Sequence, residues 1–191
     1  AADITRTWSG GDAEFSGLVD AMDGLQRDLC AGIRPGRDYR EVHLEAHRRI
    51  GALLHDAGIV RCDAATAVAE RVTSVFFPHG IGHLLGLQVH DVAGLAADPS
   101  GRRELPRPDG HPFLRLTRTL EPGFVVTVEP GIYFIDLLLD EARADGRGQH
   151  IDWTTVERLK PFGGIRIEDD VACTAGAPEN LTRAAFRGLR E

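Results

Sequence analysis

No stretch of this 191-residue sequence approaches the ~18 to 20 consecutive apolar residues that a membrane-spanning helix requires. A helical membrane span is excluded. Lysine is nearly absent: Lys160 is the single one among 22 basic residues, set against 29 acidic ones for a formal charge of −7. With no lysine-rich basic arm, nucleic acid is not an expected partner. Cysteine is scarce, and Cys30, Cys62 and Cys173 show neither CxxC nor CxxxH spacing. That excludes a disulfide framework and a zinc knuckle, and leaves free thiols of a reducing compartment, by default the cytoplasm. The N-terminus has no initiator methionine and no charged-then-apolar signal pattern. Residues 1–8 are rich in β-branched side chains, so the chain reads as entering in mid-structure, N-terminally incomplete. Repeats, low-complexity tracts and linkers are also missing. What remains is globular in composition, 42% hydrophobic and 27% charged, and long enough for one domain over residues 1–191.

From Asp12, the apolar residues Phe15, Leu18, Val19, Met22, Leu25 and Leu29 recur at steps of three and four, predicting a helix that Gly32 and Pro35-Gly36 stop. Asp38 with Glu41 resembles a capping box and opens a second helix, with Val42, Ala46, Ile50, Leu53 and Leu54 facing inward until Gly58. Asp63 caps a short third helix expected to run through Val72. From Thr73 onward glycine, proline, histidine and β-branched residues dominate, and a polar loop carries Pro99, Pro106, Pro108 and Pro112. Phe124 to Glu129 reads as a strand closed by Pro130-Gly131, Ile132 to Leu139 is ambiguous, and 140–150 reads as loop. Trp153 to Leu159 fits a short helix, and Gly163 to Thr174 one long strand. Helices early and strands late, without βαβ alternation, argue for an α+β domain with a largely antiparallel sheet.

Alternation along the last strand puts Arg166, Glu168 and Asp170 on one face and Ile165, Ile167 and Val171 on the other. Glu129 ends the earlier strand. A carboxylate set in an apolar strand is costly unless it is paired or metal-bound, so both a salt bridge to Arg166 and metal ligation stay open. Residues 79–91 read HGIGHLLGLQVHD and bring His79, His83 and His90 within twelve residues, interleaved with glycines that permit close backbone approach. His43 and His47 also stand four apart, but the stretch is HLEAH and not HExxH, so this pair reads as a solvated helix face.

Residues 79–91 resemble the signature of the proline-specific "pita-bread" metallopeptidases, the group containing prolidase and aminopeptidase P. Residues 121–134 (EPGFVVTVEPGIYF), residues 160–170 (KPFGGIRIEDD) and residues 1–8 agree with it in order. The resemblance spans essentially the whole chain and looks most like bacterial Xaa-Pro dipeptidases. It implies a curved, largely antiparallel sheet covered by helices. It further implies two divalent ions, Mn²⁺ or else Co²⁺ or Zn²⁺, bridged by Asp3 and Glu168, with His83 and Glu129 completing one shell. A donor set of carboxylates and one imidazole suits such hard or borderline ions.

By the same resemblance His79 and His90 orient the scissile carbonyl and assist proton transfer, and Glu129 carries the proton. Arg115 meets the carboxylate of a dipeptide, Arg166 supports the site and contacts substrate, and the full-length protein is a homodimer. For both arginines a surface ion pair is the alternative. The family uses a fifth ligand, an aspartate on a strand ahead of Asp3. Asp3, Glu129 and Glu168 supply only three negative charges, so this chain is expected to hold one ion well and the second poorly, with impaired hydrolysis. Two further readings stay open: aminopeptidase P-type cleavage of longer peptides, and a non-catalytic module that binds peptide or protein.

Overall fold

Each long helix starts where an aspartate side chain takes up a free backbone N–H. In the computed structural model, which describes residues 1–188, Asp12 accepts from Phe15 N and begins α1 (Ala13–Ala31). Its periodic residues Phe15, Leu18, Met22, Leu25 and Leu29 are buried. Each such side chain contributes about 1.5–3 kcal/mol of hydrophobic stabilisation relative to exposure. Asp38 accepts from Arg40 N at the start of α2 (Tyr39–Asp56), so the cap is real but the reciprocal box with Glu41 is not its basis. Asp63 caps α3 (Ala64–Ala69), which stops short of the expected Val72 because Arg71 takes a left-handed φ of +56°, and α4 (Thr73–Phe76) follows.

The strands are short and, among the described residues, every ladder is antiparallel. β1 (Val125–Val128), β4 (Asp169–Ala172) and β5 (Glu179–Asn180) form one sheet in the order β1-β4-β5. β2 (Gly131–Tyr133) and β3 (Gly164–Arg166) form a second. The expected single strand over 163–174 is therefore two, and the reason lies on its partner. Ile167 N donates to Pro130 O, but Pro130 has no N–H to return, so the ladder breaks there. Glu168 then exchanges backbone hydrogen bonds with Thr5. The ambiguous stretch 132–139 divides into the end of β2 and the first turn of α5 (Asp136–Ala144). The expected loop over 140–150 is mostly helical, completing α5 and adding a 3-10 turn at Arg147–His150. There Leu139 and Ala142 find a buried face that the polar composition masked. α6 (Trp153–Leu159) matches its expected span, and α7 (Leu181–Gly188) closes the described chain.

A second correction concerns α2. His43 and His47 do not face solvent: both are 1% exposed and lie on the same buried side as Val42, Ala46 and Ile50. The apolar stripe of α2 is wider than its hydrocarbon residues alone indicate. α1 and α2 share one core with Val126, Val128, Ile132, Ile165, Ile167 and Val171, so the helices form the back of the sheets.

Candidate functional site

β1 is the axis on which the site is built. On one edge it pairs with β4. On the other, Thr127 N donates to His83 O and Glu129 N to Ile81 O, so the histidine-rich segment lies alongside. This approach requires Gly82, because a Cβ there would stand 2.1 Å from Thr127 O. Glu129 follows β1, and Glu168 precedes β4. The Thr5–Glu168 bridge brings Asp3 to the same place. Four residues separated by up to 165 positions thus meet on neighbouring extended segments.

Ligand atoms of His83, Glu129 and Glu168 lie within 4.8 Å of one another, and so do those of Asp3, His83 and His90. His83 Nε2 stands 3.4 Å from Asp3 Oδ2 and 3.8 Å from Glu129 Oε1. His83 Nδ1 lies 3.0 Å from Leu84 O, which only a protonated nitrogen satisfies, so in the neutral, metal-binding form of the ring Nε2 carries the lone pair. That Nε2 is buried and has no hydrogen-bond partner among the described residues. A lone pair facing two carboxylates is repulsive, and a cation among them turns each contact attractive. The backbone carbonyl that holds Nδ1–H is the kind of outer partner that orients a metal-bound imidazole. The residues present therefore fit a divalent ion.

Electrostatics agree. Burial, and then the Glu168 carboxylate, push Glu129 up to about 8 against the opposing charge of Arg166. Glu168 is also raised, by burial above all, although Thr5 Oγ1 donates to its Oε2 at 2.7 Å. Burial lowers His79 to about 4, which leaves its ring neutral at pH 7. Carboxylates raised by burial and by the charge of neighbouring carboxylates in a cleft mark functional sites more often than structural ones.

His79 Nδ1 is 3.9 Å from Glu129 Oε2, and Arg166 Nε is 3.8 Å from the same oxygen. Arg166 thus faces Glu129 and not Glu168, its neighbour in the alternation. His90 stands at the rim, its side chain 54% exposed and its Nε2 3.8 Å from Asp3 Oδ2. Arg115 is exposed and forms no ion pair among the described residues. A cavity of about 440 Å³ opens on the cluster, lined by His79, Arg107, Phe113, Arg115, Glu129 and Arg166 among others. A larger groove of about 670 Å³ between α1 and α2 contains none of the clustered groups.

Three contributors escaped the sequence reading. Tyr133 Oη accepts from Arg166 Nε at 2.7 Å and lies 2.8 Å from His79 Nε2. Thr127 Oγ1 accepts from His83 N at 3.1 Å, and Thr5 holds Glu168. Tyr133 shares the alternation of Glu129 and Gly131, a signal that Pro130 obscures.

A model described as "Metallopeptidase family M24" matches residues 1–175. A protein named Xaa-Pro dipeptidase from Xanthomonas campestris pv. campestris (strain B100) is 54% identical over 187 residues, which are 97% of this chain and 42% of that protein. Its namesake from Stenotrophomonas maltophilia (strain K279a) is also 54% identical, with the same coverage. Among solved structures, the Pseudomonas aeruginosa aminopeptidase PepP superposes with a TM-score of 0.70 at 32% identity, over 96% of this chain and 35% of that one. Proline aminopeptidase P II from Yersinia pestis gives 0.67 at 31% identity, with coverage of 96% and 35%. The chain therefore spans about two fifths of the length of these dipeptidases and about a third of the aminopeptidases.

Proposed function

The chain belongs to metallopeptidase family M24, and from that premise we propose that the protein carrying it hydrolyses Xaa-Pro dipeptides at a centre of divalent ions. The observation that carries this reading is the buried, unpartnered His83 Nε2 facing Asp3 and Glu129, with Glu168 beside them. Asp3, His83, Glu129 and Glu168 would hold the ions. Three carboxylates with one imidazole favour Mn²⁺, with Co²⁺ or Zn²⁺ as substitutes. When bound, such ions polarise a carbonyl and lower the pKa of a water.

The residues do the remainder. Glu129 has one oxygen toward His83 and the other toward His79 and Arg166, so it is placed to take the proton of the attacking water and return it to the prolyl nitrogen. A C–O bond forms, the C–N bond breaks, and the imino product leaves protonated. His79, neutral and held by Gly80 O and Tyr133, orients the scissile carbonyl together with His90. Arg115 and Arg166 line the cavity and offer charge-assisted hydrogen bonds to a free carboxylate. Pro112 and Phe113 give the same cavity an apolar wall for the prolyl ring. A cytoplasmic location accords with the three free cysteines, and a homodimer with the family resemblance.

Assays of the Mn²⁺-loaded protein on Ala-Pro and on Ala-Pro-Ala test this. The expected result is cleavage of the dipeptide alone, lost in Glu129→Gln. Cleavage of the tripeptide with the dipeptide ignored would assign the site to aminopeptidase P-type chemistry. Activity unchanged in Glu129→Gln would remove the mechanism.

A further inference from the structure

A second convergence of histidines lies outside the proposed reaction and does not depend on it. His43 and His47 stand one turn apart on α2, and His111 enters from the loop ahead of β1, where Gly110 turns the chain with φ +82°. The three rings pack at centroid separations of 4.7, 4.7 and 4.6 Å, and one nitrogen from each lies within 4.8 Å of the others. We propose that His43, His47 and His111 form a binding site for one borderline transition-metal ion such as Zn²⁺, separate from the His83 cluster.

Three imidazoles are an expensive way to fill an apolar interior that phenylalanine or leucine would fill without a desolvation penalty. Their hydrogen bonding does not account for them. His43 Nε2 meets only His111 Nδ1, at 2.9 Å, and His43 Nδ1 is buried with no partner among the described residues. Neither nitrogen of His43 is thus committed to a group outside the triad, and an ion displaces no other bond there. His47 differs in an informative way. Its Nδ1 lies 2.8 Å from Thr73 Oγ1. With Nδ1–H donating to that hydroxyl, the lone pair falls on Nε2, the arrangement that prepares an imidazole for ligation. Burial lowers His43 to about 2 and His47 to about 3, so both are neutral at pH 7, the form that binds metal.

Nitrogens on bonds of ~2.0–2.1 Å to a tetrahedral ion stand about 3.4 Å apart. The triad is already near that scale, and His111, half-buried on its loop, is the member free to adjust. A cavity of about 180 Å³ lined by the three rings, Ser74 and Phe77, with His79 on its wall toward the proposed reaction site, leaves room for a water as fourth ligand. With no carboxylate in the donor set, the site selects Zn²⁺, Co²⁺ or Ni²⁺ over Mn²⁺. Its two donor sets would then sort metals within one chain. An ion here would also tie α2 to the loop bearing Phe113 and Arg115, which line the proposed substrate cavity.

The test compares zinc retained after dialysis by the wild-type protein and by His111→Phe, with circular dichroism to verify folding. Expected is one more equivalent of zinc per chain in the wild type. Zinc-soaked wild-type crystals provide a readout that needs no variant: an anomalous difference peak among His43, His47 and His111. Equal zinc content in the folded variant would overturn the proposal. So would crystals with zinc at His83 and none at the triad.

Discussion

The hydroxyl of Tyr133 takes a hydrogen bond from Arg166 Nε and stands 2.8 Å from His79 Nε2, so one oxygen holds two side chains that face Glu129. A hydrogen bond to a charged group is worth about 1.5–3 kcal/mol, so Tyr133→Phe is expected to lower kcat/KM about 10- to 100-fold while the fold persists. Steady-state kinetics on Ala-Pro measure this, and an unchanged kcat/KM would mean that the cation holds its place unaided. At this scale the sequence was informative wherever chemistry and spacing coincided. His79, His83 and His90 are crowded into one glycine-rich stretch, and Glu129 and Glu168 interrupt apolar strands. Tyr133, Thr5 and Thr127 were not legible, because their roles come from contacts across the sheets. Periodicity in hydrocarbon residues alone leaves His43 and His47 off the apolar stripe of α2, which these two buried imidazoles in fact extend.

Caps and breakers set the elements. Asp12, Asp38, Asp63 and Asp152 each place a side-chain oxygen on a helix's free N–H groups, and for α1 and α2 the helices lie where apolar spacing predicts them. The last strand was misjudged because Pro130, 37 positions earlier, withholds the hydrogen bond that would continue its ladder. On α2, Glu45 lies between Arg49 and Arg37. Burial opposes its charge, but these two guanidinium groups win and hold the carboxyl below its usual range. A carboxyl depressed by folding contributes stability above its unfolded pKa, near 4.5, and loses it as pH falls through the folded value. Glu45→Gln is accordingly expected to lower stability at pH 7 by about 0.5–1 kcal/mol, as for a partly exposed ion pair. The difference should vanish in urea titrations at low pH. A constant difference from pH 7 down to pH 3 would assign the effect to packing.

For the molecule as a whole, helices leading and antiparallel strands following were readable from texture, and the resemblance supplied the curved sheet. The division into two small sheets was not readable, because it depends on which strands meet. The arrangement has one consequence that local structure does not require: Asp3, Glu129 and Glu168 are held together around an imidazole lone pair. Without a cation, the charges of Glu168 and Asp3 oppose that of the buried Glu129, which works against folding. Binding to the folded state alone adds stability in proportion to the logarithm of ion concentration. By the proposed assignment Asp3, His83, Glu129 and Glu168 would together hold one ion, and Asp3 and Glu168 alone would reach a second. Calorimetric titration of the 191-residue chain with Mn²⁺, beside its Glu168→Ala variant, measures this directly. Outer-sphere partners alone are worth about 10- to 100-fold in affinity, so loss of a ligand should cost at least about 100-fold. The expected result is one tight ion in the wild type, a weak second, and loss of the tight one in Glu168→Ala; no saturable binding, or equal binding in both proteins, would contradict a metal centre at His83.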